Sequence, residues 1–336
     1  MAFGFKNWRK RQSADETWRR KGALYNLLSQ AGFKVADIGA RGGPMLQLLM
    51  LSPFAHYFAC EPDPVEAERL RTSMNESSLW KNVTVFPEAL STRAGKETLY
   101  ICNQPGLSSL LRPNPDVVRK YYDDGRFDIS RELSVPTITL DQAAARYGFE
   151  DACFVKLDTQ GTELDILLSG TGLITRAVLG VYVEVEFHPF YDGQPLFSQV
   201  DTYLRDAGFS LFDLQRTLIR RTRGRNDLYS RRQVVWADAL YFKEPSTLVR
   251  FRDDSLLLHS ARLLGLALAF EQFDFAFEIA AAALRTPNSS NEWSETITNE
   301  IESLALARMR ATRKMSKSRR QRPQPEKFFY TDRGRI

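Results

Sequence analysis

The sequence predicts an α/β fold with a mostly parallel sheet and helices on both of its faces. A short apolar run, residues 35–38, leads into a glycine-rich turn that ends at Gly43, and a second apolar run ends in Glu61. Further short apolar runs are each separated from the next by segments of helical composition. Strands that alternate with helices in this way pair in parallel through right-handed crossovers.

The predicted elements follow one another along the chain. The strands are residues 35–38, 57–60, 83–86, 98–102, 135–140, 152–157, 178–185, 209–214 and 234–242. The helices are residues 44–51, 64–74, a short helix capped by Asp141, 162–168 and 197–207. A proline in the first turn favours the helix at 44–51. The nearly continuous β-branched run at 178–185 favours a strand that is covered on both faces.

Three connections and extensions stand out from this alternation. Residues 104–131 form a long segment with several prolines, and loops of this length are usually functional or mobile, which predicts a lid. The basic stretch 216–232 lies between the last two strands and predicts a hairpin loop. Residues 255–284, interrupted near 272–274, predict a helical hairpin that either caps the sheet or forms a homodimer interface.

Composition indicates a globular protein. Of the 336 residues, 43% are hydrophobic and 26% are charged, which is typical of folded domains. Cys60, Cys102 and Cys153 lie in separate apolar runs, which indicates buried free thiols rather than disulfides or a metal site. No signal-peptide pattern is visible, and the apolar run at 263–270 is too short to span a membrane. We therefore expect a cytoplasmic protein without a transmembrane segment.

The net charge of +5 is unevenly spread, because residues 308–336 hold 11 Lys and Arg against 2 acids. Such a tail can contact nucleic acid or an anionic membrane surface. Its prolines and low apolar content favour a solvated, disordered extension instead. The predicted organisation is a basic lead-in (1–33), an α/β domain (34–245), a helical extension (246–307) and this tail.

The glycine-rich turn is the first candidate binding site. Asp37, Gly39, Arg41 and Gly43 end the first strand, and Glu61 ends the next. A carboxylate at the second position can accept hydrogen bonds from both hydroxyls of a ribose, and glycines let the backbone approach a ligand. The looser glycine spacing favours S-adenosylmethionine over a dinucleotide. We expect the N–H groups of the turn and of the following helix to bind the methionine carboxylate; the alternative is an ordinary strand-to-helix turn.

A second candidate site follows the strand at 152–157. Lys156 and Asp158 are two residues apart and therefore share a face of the strand, with Asp158 at its carboxyl end, where ligands bind in open α/β sheets. Gly161 allows a sharp turn, and Glu163 begins the next helix. Lys156 and Asp158 either act in catalysis or form a structural ion pair.

Two weaker signals follow other strands. Glu88 and Ala89 come after the third strand, where an adenine edge would be contacted. Glu184, Glu186 and His188 alternate along one strand, but three such positions span about 13 Å, which is too far for one metal ion, so we expect no metal site. His188 is either a general base or a structural histidine.

Together these motifs resemble the FkbM family of methyltransferases. The matching segments are residues 35–43, 58–64, 88–91, 139–141, 154–167, 183–191, 194–197 and 208–212. The resemblance covers about residues 34–243. It implies the class I methyltransferase (Rossmann-like) fold with a seven-stranded sheet, S-adenosylmethionine as cofactor, and O-methylation of a sugar hydroxyl or a secondary metabolite, as in polysaccharide biosynthesis.

The resemblance also implies positions for the cofactor. Asp37 and Gly39 would line its methionine part, beside Ala40, Arg41 and Gly43. The ribose would lie at Glu61, beside Pro62, and the adenine at Glu88 and Ala89. Arg41 stands where the family often has Asn, and Gln160 where it often has Glu, which puts substrate identity and the acid–base assignment in question.

The expected mechanism is direct methyl transfer to a hydroxyl of a small-molecule or glycan acceptor. Alignment of the reacting atoms supplies much of such catalysis, and a base assists loss of the hydroxyl proton. We expect Asp158 to be that base, with His188 second and Lys156 beside it. Two alternatives are a nucleic-acid methyltransferase recruited by the basic segments, and a non-catalytic, cofactor-binding scaffold within a glycan-assembly complex.

Overall fold

The computed structural model describes residues 21–77, 79–222, 231–250, 253–283 and 291–320. The strands are β1 (Phe33–Ile38), β2 (Ala55–Cys60), β3 (Asn82–Phe86), β4 (Ala89–Leu90), β5 (Gly95–Cys102), β6 (Ile129–Ile138), β7 (Phe154–Leu157), β8 (Gly180–Glu186), β9 (Phe209–Ile219) and β10 (Gln233–Lys243). Seven of them form one sheet in the order β3-β2-β1-β7-β8-β10-β9, and β4-β6-β5 form a small second sheet.

The main sheet is parallel except for one strand. Strands β3, β2, β1, β7 and β8 run in parallel, and β10 is antiparallel to both β8 and β9. The predicted α/β fold with a mostly parallel, seven-stranded sheet is therefore confirmed. The carboxyl ends of β1, β2 and β7 meet at one edge of the sheet, where the candidate residues lie.

Helices cover both faces. They are α1 (Ala23–Ala31), α2 (Pro64–Ser77), α3 (Pro115–Val118), α4 (Leu140–Tyr147), α5 (Glu163–Ser169), α6 (Thr171–Arg176), α7 (Phe197–Asp206), α8 (Asp253–Ala269), α9 (Phe273–Ala283) and α10 (Asn291–Arg320). Shorter 3-10 helices span Leu46–Phe54, Pro105–Leu107 and Pro245–Arg250. No helix among the described residues is long and apolar enough to cross a membrane.

The predicted helical hairpin is formed by α8 and α9, and its apolar side packs onto the sheet. Leu263 and Leu266 of α8 lie in the same buried core as Phe33, Phe154 and Phe242 of the strands. Helices α1 and α10 complete this layer. The hairpin is therefore a cap on one face of the sheet. The other face is covered by α4, α5, α6 and α7 around a second buried core.

Several predicted local structures differ from those observed. The helix predicted at 44–51 is the 3-10 helix Leu46–Phe54, preceded by an extended Met45. Thr139, rather than Asp141, caps α4 through a capping box with Gln142. The Asp141 carboxylate instead accepts hydrogen bonds from the backbone of Gly172 and Leu173, so it anchors α6.

The predicted boundaries also shift at the loop, the hairpin and both ends. Strand β6 begins at Ile129, which shortens the predicted loop at its carboxyl end. Residues 216–219 of the basic insert belong to β9, and residues 223–230 lie outside the described chain. Helix α10 extends to Arg320, so the predicted disorder is wrong for 308–320, whereas 321–336 are not described. Within the predicted lead-in, α1 packs against α8 and α10.

Candidate active site

The glycine-rich turn is held by backbone bonds to the end of β2. The N–H groups of Gly39 and Ala40 both donate to the carbonyl oxygen of Cys60, at 3.1 and 3.0 Å. Gly39 has φ +78°, and a Cβ there would lie 2.0 Å from the carbonyl oxygen of Asp158. Only glycine fits this approach. These two N–H groups are already used, and the chain after the turn forms the 3-10 helix Leu46–Phe54 instead of an α-helix. The carboxylate site at this turn stays a prediction.

A cavity of about 140 Å³ opens at this edge of the sheet. Six of the predicted site residues line it: Gly39, Arg41, Glu61, Pro62, Ala89 and Asp158. The remaining lining residues are Ile38, Cys60, Leu90, Leu99, Pro105, Gly106, Ser108, Ser109, Leu110, Thr159, Gln160 and Thr162. The predicted residues Asp37, Ala40, Gly43, Glu88, Lys156 and His188 are not in the lining.

Asp37 supports the site from inside the protein. It is fully buried, its Oδ2 accepts a 2.6 Å hydrogen bond from the Tyr57 hydroxyl, and its Oδ1 lies 3.0 Å from Nζ of Lys156. Lys156 Nζ also donates to the carbonyl oxygen of Gly39 at 2.8 Å and lies 3.5 Å from Oδ2 of Asp158. Asp37 and Lys156 thus join the glycine turn to the end of β7.

The protonation of this pair limits what Lys156 can do. Burial raises the pKa of Asp37, although the Lys156 charge opposes the shift. Burial alone would lower the pKa of Lys156, but the Asp37 and Asp158 carboxylates outweigh it and hold that pKa above its usual range. Lys156 therefore keeps its proton near neutral pH and cannot serve as a base.

Glu61 ends β2 at the floor of the cavity. Its Oε1 accepts a 3.0 Å hydrogen bond from the backbone N–H of Asp63 and lies 3.7 Å from Nη2 of Arg41. Both Arg41 and Arg131 donate to Oδ2 of Asp63, at 3.2 and 3.1 Å. Burial raises the pKa of Glu61 to about 7, although Arg41 opposes the shift. Glu61 is thus fixed in position and titrates near neutral pH.

Glu88 faces away from the cavity. Its carboxylate accepts hydrogen bonds from Nη1 of Arg146 at 2.7 Å and from the Tyr147 hydroxyl at 2.6 Å. The Tyr147 ring stacks on Phe86, with centroids 4.5 Å apart. Of the predicted adenine pair, only Ala89 lines the cavity, because helix α4 engages the Glu88 side chain.

Gln160 organises the turn after β7, a role that the sequence reasoning missed. It has φ +59°, rare for a residue with a side chain. Its Nε2 donates to Oδ1 of Asp158 at 2.8 Å and to the carboxylate of Glu184. The Tyr191 hydroxyl lies 3.2 Å from its Oε1 and 2.8 Å from the carbonyl oxygen of Leu107. In the sequence, Gln160 is marked by its place between Asp158 and Gly161 and by its difference from the Glu that the FkbM family often has there.

Buried acids lie behind this turn. Glu163 accepts hydrogen bonds from the N–H groups of Thr159 and Gly161, and burial raises its pKa to about 7. Burial also raises the pKa of Glu184 and Glu186, with nearby carboxylates adding to the effect. Among the residues that the structure describes, no group of His, Cys, Asp and Glu could hold a metal ion.

His188 follows β8 and lies in a different environment from Asp158. Its Nε2 is 3.0 Å from Nε2 of Gln233, and its ring centroid is 5.3 Å from that of Tyr121. Burial, with the charges of Arg221 and Lys120, lowers its pKa. The structure therefore separates the two predicted bases, since Asp158 lines the cavity and His188 does not.

Comparison with known proteins gives a consistent result. The "Methyltransferase FkbM domain" family matches residues 37–211. A "2-O-methyltransferase NoeI" from Sinorhizobium fredii (strain NBRC 101917 / NGR234) is 30% identical over 178 residues, which are 51% of this chain and 70% of that protein. The residues 37–211 matched by the family include Gly39 to Gly43 of the turn, Glu61 and Asp158.

Solved structures of methyltransferases resemble the chain more distantly. One is magnesium protoporphyrin IX methyltransferase from Synechocystis PCC 6803 with bound SAM (TM-score 0.31, 11% identity, 69% of this chain and 95% of that chain). Another is precorrin-6y C5,15-methyltransferase from Geobacter metallireducens GS-15 (TM-score 0.31, 13% identity, 66% of this chain and 88% of that chain). Scores of this size do not establish a shared fold, so the fold assignment rests on the sheet itself. By its family match, this chain belongs to the FkbM methyltransferase family and is a methyltransferase.

Proposed function

We propose that the protein is an S-adenosylmethionine-dependent O-methyltransferase that acts on a hydroxyl of a sugar or glycan. The observation that carries the proposal is the single cavity in which Gly39, Glu61 and Asp158 meet. A buried carboxylate at the end of β2 and a turn without a side chain at the end of β1 fit a nucleoside cofactor. The 2-O-methyltransferase named above supports transfer to oxygen.

The roles assigned to the cofactor-binding residues follow their places in the cavity. Glu61 would accept hydrogen bonds from the ribose hydroxyls, since its carboxylate is buried and already oriented by the N–H of Asp63. Ala89, Leu90 and Leu99 would provide the apolar surface for the adenine. Gly39 would leave room for the methionine part. When bound, S-adenosylmethionine supplies an activated methyl group on a sulfonium ion.

Asp158 is the proposed base. Its side chain is 43% exposed at the cavity, and Gln160 and Lys156 hold its two oxygens in place. Asp158 would take the proton that the acceptor hydroxyl loses on methylation. The hydrogen bond from Gln160 and the charge of Lys156 keep the carboxylate oriented without removing its access to the acceptor.

Calorimetric titration with S-adenosylmethionine and S-adenosylhomocysteine tests cofactor binding. We expect micromolar binding, about −8 kcal/mol, that Glu61→Ala reduces at least tenfold. The exposed Glu68→Ala is the matched control and should bind as the wild type does. Absence of binding by the folded wild type would overturn the proposal.

Methyl transfer to a panel of sugars and glycans tests the base at saturating cofactor. We expect Asp158→Asn to lower turnover about 100-fold or more while cofactor affinity changes little. His188→Ala should leave most of the turnover intact, because His188 lies outside the cavity lining. If Asp158→Asn keeps wild-type turnover, Asp158 is not the base.

A further inference from the structure

A cluster of aromatic side chains lies beside the cavity. This aromatic wall consists of Tyr121, Tyr122, Phe127, Phe190, Tyr191 and Trp236. The members come from the loop before β6, the segment after β8 and the start of β10. Tyr191 joins the wall to the cavity, because its hydroxyl contacts Gln160, a lining residue. Tyr122 and Trp236 are partly exposed. The guanidinium carbon of Arg126 lies over one face of the Tyr122 ring, 4.4 Å from its centre, so a ligand would approach the exposed part of Trp236.

Backbone bonds tie the loop of the wall to the end of β9. The N–H of Thr222 donates to the carbonyl oxygen of Lys120 at 2.9 Å. The Thr222 hydroxyl donates to the carbonyl oxygen of Arg119 at 2.8 Å. The Tyr121 hydroxyl donates to Oε1 of Gln233 at 3.0 Å. These contacts bring Lys120 and Arg221 together from positions about a hundred residues apart in the chain.

Lys120 and Arg221 are two cations at the edge of the wall. Both are exposed, and the guanidinium carbon of Arg221 lies 5.9 Å from the centre of the Tyr121 ring. His188 contacts the same ring, and its pKa responds to both charges. Within the described ranges, neither cation has a carboxylate at ion-pair distance, whereas Arg126 beside them is paired with Asp124.

We propose that the acceptor is an anionic sugar, whose phosphate or carboxylate group is bound by Lys120 and Arg221 while its ring lies against the aromatic wall. This inference rests on the proposed function, since it names the acceptor class of the same site. Lys and Arg side chains bind phosphate and carboxylate strongly.

Nuclear magnetic resonance can test the proposal by binding alone, with the full chain saturated with S-adenosylhomocysteine. The probes are glucose, glucose 6-phosphate, glucuronate and inorganic phosphate. The chain has three histidines, and a His188→Gln spectrum assigns the reporter. We expect the two anionic sugars, or one of them, to raise the pKa of His188, whereas glucose leaves it unchanged. A response to glucose 6-phosphate alone identifies phosphate as the recognised group, and a response to glucuronate alone identifies carboxylate.

The double variant Lys120→Ala with Arg221→Ala should bind the anionic sugars at least tenfold more weakly. Lys81→Ala is the matched control, because the exposed Lys81 precedes β3 at the opposite edge of the sheet. With the wild type, affinity should also fall as salt is added, because charge attraction is screened. The salt dependence is measured on the wild type, so it does not depend on whether the double variant folds.

Three results would overturn the inference. The first is equal binding of glucose and the anionic sugars, and the second is unchanged binding of the anionic sugars by the double variant. The third is binding of inorganic phosphate as tight as that of glucose 6-phosphate, because it would show that the sugar ring does not contribute to binding. Cofactor binding separates this failure from that of the proposed function. If the wild type binds S-adenosylmethionine but does not prefer the anionic sugars, only the proposal of an anionic acceptor is wrong.

Discussion

Positive charge is used differently on the two sides of the site. Beside the glycine turn, Lys156 pairs with the buried Asp37, and Arg41 and Arg131 both bind Asp63. Beside the aromatic wall, Lys120 and Arg221 have no carboxylate at such a distance in the part of the chain that the structure describes. Paired charges fix the backbone that surrounds the cavity, whereas unpaired charges remain available to a ligand.

Burial determines how much each of these cations contributes to the stability of the fold. A buried ion pair is costly to break, because the remaining charge stays in a medium of low polarity. An exposed cation is solvated and contributes little to folding. The two sides should therefore respond in opposite ways to the loss of a cation, with stability affected at the glycine turn and ligand binding affected at the wall.

Replacing Lys156 should have the largest effect on stability. Lys156→Met leaves the fully buried Asp37 without its counter-ion and removes the hydrogen bond to Gly39. We expect the free energy of unfolding to fall by about 3–5 kcal/mol, measured by urea denaturation followed by tryptophan fluorescence. The exposed Lys96→Met on β5 is the control and should change it by less than about 0.5 kcal/mol. A loss below about 1 kcal/mol in Lys156→Met would mean that the pair does not support the turn.

Removing the half-buried acid Asp238 should instead stabilise the protein. Burial, and next the Asp158 charge, raise the pKa of Asp238 from 3.8 to about 6. A carboxyl with a raised folded pKa favours folding below its unfolded pKa, and this contribution is lost as the pH rises through the folded value. A difference of about two between the folded and unfolded pKa corresponds to about 3 kcal/mol of stability. Asparagine does not ionise, so above about pH 6 we expect the free energy of unfolding of Asp238→Asn to exceed that of the wild type by about 1–3 kcal/mol.

Thermal unfolding at several pH values measures this difference. The two proteins should converge below about pH 3, where the Asp238 carboxyl is mostly protonated in both the folded and unfolded wild type. Asp213→Asn, at an exposed position on β9, is the control and should follow the wild-type curve. A constant difference at all pH values would show that Asp238 ionisation is not its cause.

Cofactor affinity should depend on pH through Glu61. Its pKa of about 7 means that much of it is neutral below that pH, whereas two ribose hydroxyls need the ionised form as acceptor. Affinity for S-adenosylmethionine should be full above pH 7 and fall up to about tenfold per unit below it, the limit for one proton. Calorimetry should find that Glu61→Gln binds more weakly and has a flat profile, while Glu68→Gln keeps the wild-type slope. The same slope in Glu61→Gln would assign the dependence to another group.

The smallest effect is expected at the aromatic wall. The double variant Lys120→Ala with Arg221→Ala removes two exposed cations, so its free energy of unfolding should stay within about 0.5 kcal/mol of the wild type. Urea denaturation under the conditions used for Lys156→Met makes the two values directly comparable. A loss above about 1.5 kcal/mol would show that these cations hold the loop in place and would remove the contrast between the two sides.

The fold could be predicted because its signals are local. Residues 35–38, 57–60 and 83–86 alternate with helical segments, and such a pattern leaves a parallel sheet as the main way to bury the apolar runs. Gly39, Glu61 and Asp158 could be placed together for the same reason, since the carboxyl ends of parallel strands meet at one edge.

What could not be predicted depends on contacts between distant parts of the chain. Asp37 and Glu88 have the expected positions in the chain, but their carboxylates bind other side chains away from the cavity. Tyr57 and Lys156 bind Asp37, and Arg146 and Tyr147 bind Glu88. A strand's periodicity places a side chain on a face, but it does not identify the partner that other elements bring to it.

The sequence by itself determined the sheet, its glycine turn and the carboxylates at the strand ends. Only the tertiary structure decided which of them face the cavity, how Gln160 holds Asp158, and that Lys120 meets Arg221 beside the aromatic wall. The physical reason is that hydrophobic periodicity acts over a few residues, whereas side-chain pairing is set by packing across elements far apart in sequence.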